Sequence, residues 1–232
     1  MDKKKVKFLI SMTAAWSLCS EGVAQKPAVE KQSGATKAPA PVKIKMVHGP
    51  GEPVIYYNLT DAEHAVIERV VGFAKRQGAV KSVLGETDEQ QAESVEAQAA
   101  SLVKHEKGFH VYFVDISGDD THAKFDPDKA LIVVNLAPLK IDDPEKYGRR
   151  VERQVMRGIF FYAGRKPCPN PQCALWNYQT NEQLDIIGRG PCPPCLIMGR
   201  SALEEKGISV GKTLFPARPH TIPGPATPKA KK

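Results

Sequence analysis

Four cysteines in the last third of the chain, Cys168, Cys173, Cys192 and Cys195, constrain its fold more than any other feature. They form two short knuckles, "CPNPQC" and "CPPC", separated by eighteen residues, with proline or glycine beside the thiols. Two knuckles at this separation can converge on one tetrahedral zinc ion, which accepts four thiolates at little geometric cost. The spacing therefore points to a closed structural zinc site, one ion per chain, with these four cysteines as ligands. Two disulfides are the alternative that an oxidising compartment favours. Redox chemistry through "CPPC" is the third, but a thioredoxin-type site sets its C-x-x-C at a strand-to-helix junction early in the fold, and this one lies late, after a loop.

The two ends of the chain bear on that choice. "MDKKKVK", the mostly apolar "FLISMTAAWSLCS" and then "EGVAQ" make the charged, apolar and small-residue regions of a secretory signal peptide over residues 1–24, with cleavage after Ala24. The apolar part is too short for a membrane span, and Leu18 before Cys19 does not suit a lipid anchor. Export to a periplasmic or extracellular space is expected. Residues 25–45 and 212–232 are rich in Pro, Ala and Lys, which is the composition of a linker and a solvated tail. One globular unit remains, residues 46–211.

The formal charge of +7 would suggest nucleic acid or an anionic membrane as partner. Removing the 14 basic and 3 acidic residues of the two ends leaves 19 basic against 23 acidic in the globular unit, a net of −4. No nucleic-acid face is expected, and the basic ends offer at most a weak contact with an anionic cell envelope.

Along the globular unit, "VIYYNL" (54–59) reads as a strand. "TDAEHAVIERVVGFAKRQGA" reads as a helix capped by Thr60, with Ala62, Val66, Ile67, Val70, Val71 and Ala74 on one stripe. A second helix is expected over "DEQQAESVEAQAASLVKHEKG", ended by Gly108. "FHVYFVDIS" and "ALIVVNLAPL" are continuous apolar runs, the mark of strands buried on both faces, with a polar loop, 118–129, between them. The last long helix has Asp143 as N-cap, Pro144 in its first turn, Tyr147, Val151, Val155, Ile159 and Tyr162 as its buried face, and Gly164 as C-cap. The fold class is α/β (α+β): a small mixed sheet packed with long helices, plus a cysteine-knuckle segment near the C-terminus.

The order apolar strand, polar loop, apolar strand, long helix, "CPNPQC", loop and "CPPC" resembles the archaemetzincins, zinc metallopeptidases with the motif HExxHxxGxxHC-x4-C-x-M followed by C-x2-C. In that family three histidines hold a catalytic zinc, the glutamate activates its water, and four cysteines hold a second, structural zinc. Aligned on Cys168, the first histidine falls on Arg157, the glutamate on Gly158, the second histidine on Phe161, the glycine on Gly164, the third histidine on Pro167 and the methionine on Leu175. The four cysteines match. Every catalytic ligand and the base are replaced. Arginine stays protonated and phenylalanine has no lone pair, so neither binds a cation.

The resemblance implies a metzincin-like sheet and one structural zinc on Cys168, Cys173, Cys192 and Cys195, with peptidase chemistry lost and a peptide or protein bound, if anything is, in the relic cleft. Arg157 suits a cleft that meets a carboxylate. One alternative is an active peptidase with its metal moved to His110, Asp115, Asp119 and His122 around the polar loop. The other is a thiol-disulfide protein using "CPPC".

Overall fold

The computed structural model describes residues 46–60 and 63–213. The expected signal peptide, the linker and residues 214–232 of the tail lie outside the described residues. In chain order the strands are β1 (Met46–His48), β2 (Val54–Asn58), β3 (Ser82–Leu84), β4 (Phe109–Val114), β5 (Ala123–Asp126), β6 (Leu131–Asn135) and β7 (Gly211–Thr213). The helices are α1 (His64–Phe73), α2 (Val95–Ser101), α3 (Pro144–Tyr162), α4 (Asn181–Ile186) and α5 (Pro193–Glu205).

β1 and β7 pair antiparallel as a two-stranded ribbon. The main sheet has the order β3-β2-β4-β6-β5, parallel throughout except for β5, which runs antiparallel to β6 at one edge. β4 and β6 are buried at every residue, as their unbroken apolar runs require of central strands. Their side chains alternate between two cores. Phe109, Val111, Phe113, Ile132 and Val134 pack with Ile67 and Val70 of α1 and Val151, Val155 and Ile159 of α3. Tyr112, Val114, Leu131 and Val133 pack with Val95 and Ala99 of α2 on the other face. Each fully buried valine or isoleucine contributes roughly 1.5–3 kcal/mol, so the three from α3 alone hold that helix firmly on the sheet.

α3 begins and ends where its sequence predicts. The Asp143 carboxylate accepts from the Glu145 and Lys146 amides at 2.9 and 3.1 Å, Pro144 opens the first turn, and Gly164, at φ 76°, stops the helix.

Four expectations need correction. α1 starts at His64 and not at Thr60, whose hydroxyl donates to Asn58 Oδ1 instead; Glu63, at φ 75°, precedes the helix. α2 runs only from Val95 to Ser101: it starts seven residues after Asp88, capped by Ser94, and stops well short of Gly108. Its end is satisfied from a distance: Lys129 Nζ, at the far end of the polar loop, donates to the carbonyls of Ala99, Ala100 and Leu102 at 2.8, 2.8 and 2.7 Å. That loop itself contains β5, whose four half-buried residues are ordered by pairing with β6 and not by an apolar run of their own. The stretch between the cysteine pairs, expected as loop, holds α4, and "CPPC" opens α5.

Candidate functional site

α3 has a second face. Arg150, Arg153, Gln154, Arg157 and Phe161 recur at steps of three and four residues on it, and the three arginines reach the cysteine-bearing segment. Arg150 grips Asp185 with two parallel hydrogen bonds, 2.8 and 2.7 Å. Arg153 donates to the carbonyls of Asp185, Ile187 and Gly188 at 3.2, 2.9 and 3.4 Å. Arg157 donates through Nη1 to the carbonyls of Ala174 and Trp176 at 3.0 and 2.6 Å. Between them Glu152, fully buried, accepts from Arg69 of α1 and from Arg189, three residues before Cys192 of the second knuckle. An irregular segment has backbone carbonyls that no ladder satisfies, and these guanidinium groups satisfy them.

The clasped segment brings the four cysteines together. Their sulfurs all lie within 4.8 Å of one another, close enough to hold one metal ion. Cys168 and Cys192 are 3.9 Å apart at sulfur, near the edge of about 3.8 Å that a tetrahedron with Zn–S bonds of about 2.3 Å requires. None is disulfide-bonded; a disulfide needs sulfurs at about 2.05 Å. The first knuckle is a turn closed by Cys173 N–H donating to Asn170 O at 3.0 Å, and Cys173 Sγ in turn accepts from the Cys192 amide at 3.2 Å. Cys173 and Cys195 are buried, Cys168 and Cys192 half-buried. Burial, with neighbouring sulfurs adding, pushes the Cys195 thiol up to about 12. Four thiolates in this space need a cation among them, and the soft, compact donor set suits zinc.

Beside the knuckles, β5 and α3 enclose a cleft of about 340 Å³ lined by Asp120, His122, Phe125, Gln154, Arg157, Phe161 and Tyr178, among others. Three positions aligned with a metallopeptidase motif therefore do meet in one cleft: Arg157, Gly158 and Phe161. The Arg157 guanidinium lies over the rings of Tyr178 and Phe161, 4.9 and 5.1 Å from their centroids. Burial lowers its pKa from the usual arginine value, yet it stays a cation at neutral pH. Tyr178 accepts from Gln154 Nε2 and pairs with His122 Nδ1 at 2.9 Å. Burial, with Arg150 adding to the effect, lowers the His122 pKa below the ordinary histidine value, which favours the neutral imidazole. Gly158 abuts β6: a Cβ there would lie 2.5 Å from Ile132 Cδ1.

The alternative metal set does not assemble. His110 is tied to Tyr57 and to the Lys107 carbonyl, Asp115 pairs with Lys140, Asp119 accepts from the Val95 and Thr121 amides, and His122 belongs to the cleft. Among the described residues the four cysteines are the one His/Cys/Asp/Glu group placed to hold a metal. The sequence reading missed Tyr178, Gln154 and His122 as partners, because 56 residues separate His122 from Tyr178 and no local pattern marks the pairing.

No protein-family model matches the chain, and no curated protein matches it in sequence. Solved structures do. The archaemetzincin of Methanopyrus kandleri superposes with a TM-score of 0.57 at 14% identity, over 66% of this chain and 96% of that one. The archaemetzincin of Archaeoglobus fulgidus, determined in complex with malonate, gives 0.51 at 15% identity, over 62% and 98%. The chain has the archaemetzincin fold.

Proposed function

We propose that this chain is an exported, non-catalytic relative of the metallopeptidases whose fold it shares, with one structural zinc on Cys168, Cys173, Cys192 and Cys195 and a peptide- or protein-binding role for its cleft. The observation that carries the reading is the state of α3 where a metallopeptidase needs ligands. Arg157 is fixed on two backbone carbonyls, and Phe161 packs beneath its guanidinium. Gly158 has no room for a glutamate while Ile132 stays in place. A fixed cation where a metal would sit repels that metal, and a general base must stand beside the bound water.

The structural zinc accounts for the fold of a segment with little regular structure. Four-thiolate binding is worth on the order of 10 kcal/mol of folding free energy, comparable to the whole stability of a domain. Export through residues 1–24, and a weak envelope contact through the basic ends, belong to the same proposal.

The test is metal content and free-thiol count on the purified mature chain from Gln25 onward, which lacks Cys19 and keeps the four knuckle cysteines, with peptide hydrolysis assayed alongside. One zinc per chain, four thiols that the metal protects and no chelator-sensitive cleavage are expected. Two metals with chelator-sensitive cleavage would overturn the non-catalytic reading. No metal and no free thiols would replace the zinc site with two disulfides.

A further inference from the structure

We propose that the cleft between β5 and α3 recognises the C-terminal carboxylate of a peptide, with Arg157 as its anchor; this rests on the binding role proposed above. Arg157 is half-buried, its guanidinium held against two aromatic rings, and has no carboxylate partner among the described residues. A charge partly withdrawn from water gains from an anionic partner, and here that partner is left to a ligand. Only Nη1 is spent, on the Ala174 and Trp176 carbonyls. Nε and Nη2 donate to no described residue, yet neither is sealed away from solvent. With the guanidinium stacked on Tyr178 and Phe161 and pinned at Nη1, its remaining edge cannot swing. A rigid pair of parallel N–H groups is the geometry that a carboxylate accepts.

Two further atoms complete a match to a chain terminus. Gln154, one helical turn before Arg157, spends its amide N–H on Tyr178 and leaves Oε1 without a described donor. That oxygen can accept the backbone N–H of the terminal residue. His122, paired through Nδ1 with the Tyr178 hydroxyl, keeps Nε2 as a further polar atom on the cleft wall. Donors for a carboxylate and an acceptor for the adjacent amide are what a C-terminal residue requires, whereas an acidic side chain has no N–H beside its carboxylate. A volume of about 340 Å³ is at the small end for ligand sites, enough for a terminus but not for a long segment. The one acid lining the cleft, Asp120, is solvent-exposed, where water screens its repulsion.

The test is calorimetric titration of the zinc-loaded full chain with acetyl-glycyl-alanyl-phenylalanine as free acid, the same peptide as its amide, and an amide peptide with glutamate in place of alanine. The free acid is expected to bind roughly 10- to 100-fold more tightly than its amide, with the glutamyl amide near the amide level. Arg157→Lys is expected to shrink the acid-to-amide ratio while zinc content is kept; should the variant unfold, the ratio on the unaltered chain still decides. Equal binding of acid and amide would overturn the carboxylate assignment and leave the cleft a peptide site. A glutamyl amide as tight as the acid would overturn the terminal assignment in favour of a side-chain carboxylate. Binding of none of the three would overturn both the inference and the peptide-binding role.

Discussion

Gly158 of α3 and Ile132 of β6 touch so closely that a Cβ on the glycine would sit 2.5 Å from Ile132 Cδ1, 3.0 Å from its Cγ2 and 3.2 Å from its Cβ. Replacing glycine by alanine within a helix ordinarily gains close to 1 kcal/mol. Here the sign reverses, because the sheet residue and not only its flexible tip blocks the space. Gly158→Ala is expected to cost about 1–3 kcal/mol, and an Ile132→Val background, which removes Cδ1, to reduce that cost. A double-mutant cycle from urea denaturation measures the coupling. A stabilised Gly158→Ala single variant would show that Ile132 yields freely. The same contact predicts that installing Arg157→His, Gly158→Glu and Phe161→His together restores no peptidase.

Glu152 is a carboxylate with no exposure, held by Arg69 and Arg189. Truncating it leaves two guanidinium groups facing each other with their shared partner gone. Glu152→Ala is expected to cost about 3–5 kcal/mol. Arg69→Met should cost less, since the Arg69 side chain is 27% exposed and water replaces part of what it loses. Equal losses in chemical denaturation would place the energy in Arg69 packing instead.

Much of the sheet-facing half of the molecule was legible in the sequence. Apolar runs mark β4 and β6, and Asp143, Pro144 and Gly164 mark the ends of α3, because the physics involved lies within a few residues. Elements fixed from a distance were not. The last turn of α2 is tied by Lys129, β5 is ordered by β6, Arg150 is committed by the Asp185 carboxylate 35 residues away, and Arg153 and Arg157 by carbonyls 17 to 35 residues away. The cysteine cluster was legible through spacing alone. The cleft was half legible: alignment on Cys168 placed Arg157, Gly158 and Phe161 together, whereas the His122–Tyr178–Gln154 chain carries no sequence pattern.

Cys173, Leu175, Leu184, Ile187, Cys195 and Leu203 belong to the same core cluster as Ile132, Val155 and Phe160. The metal segment is thus not a separable appendage. Chelation is expected to lower the midpoint of a single thermal transition monitored by circular dichroism and tryptophan fluorescence together. Two resolved transitions, with the sheet surviving the loss of the knuckles, would contradict a shared core.

Gly188 shows how tightly that segment is folded. A Cβ on it would lie 1.8 Å from the carbonyl oxygen of Gln172, the residue before Cys173. Backbone cannot yield as a side-chain tip does, so Gly188→Ala must push the first knuckle away from the second. Weaker zinc retention is expected, read as faster release to a chromogenic chelator. Unchanged release would mean that the 188–190 turn moves as a unit and leaves the sulfurs in place.

Acid should unfold the chain in two stages. Burial holds His110 and His122 below the ordinary value of 6.5, so as pH falls through that value the unfolded chain takes up protons before the folded one. Stability is present above 6.5 and is lost as pH descends toward the folded-state values. Asp185, lowered by its hydrogen bonds to Arg150, and Asp119, lowered by the Val95 amide, act below the ordinary 3.8: the unfolded carboxylates protonate first, and their contribution is lost there. Thiolate sites also release zinc in acid. The share of His110 and His122 is therefore the part of the first stage that disappears in His110→Gln/His122→Gln at saturating zinc; His48 and His105, also lowered by burial, keep theirs. Urea midpoints between pH 7.5 and 5 are expected to fall less steeply in that double variant, and an unchanged slope would remove these two histidines from the first stage.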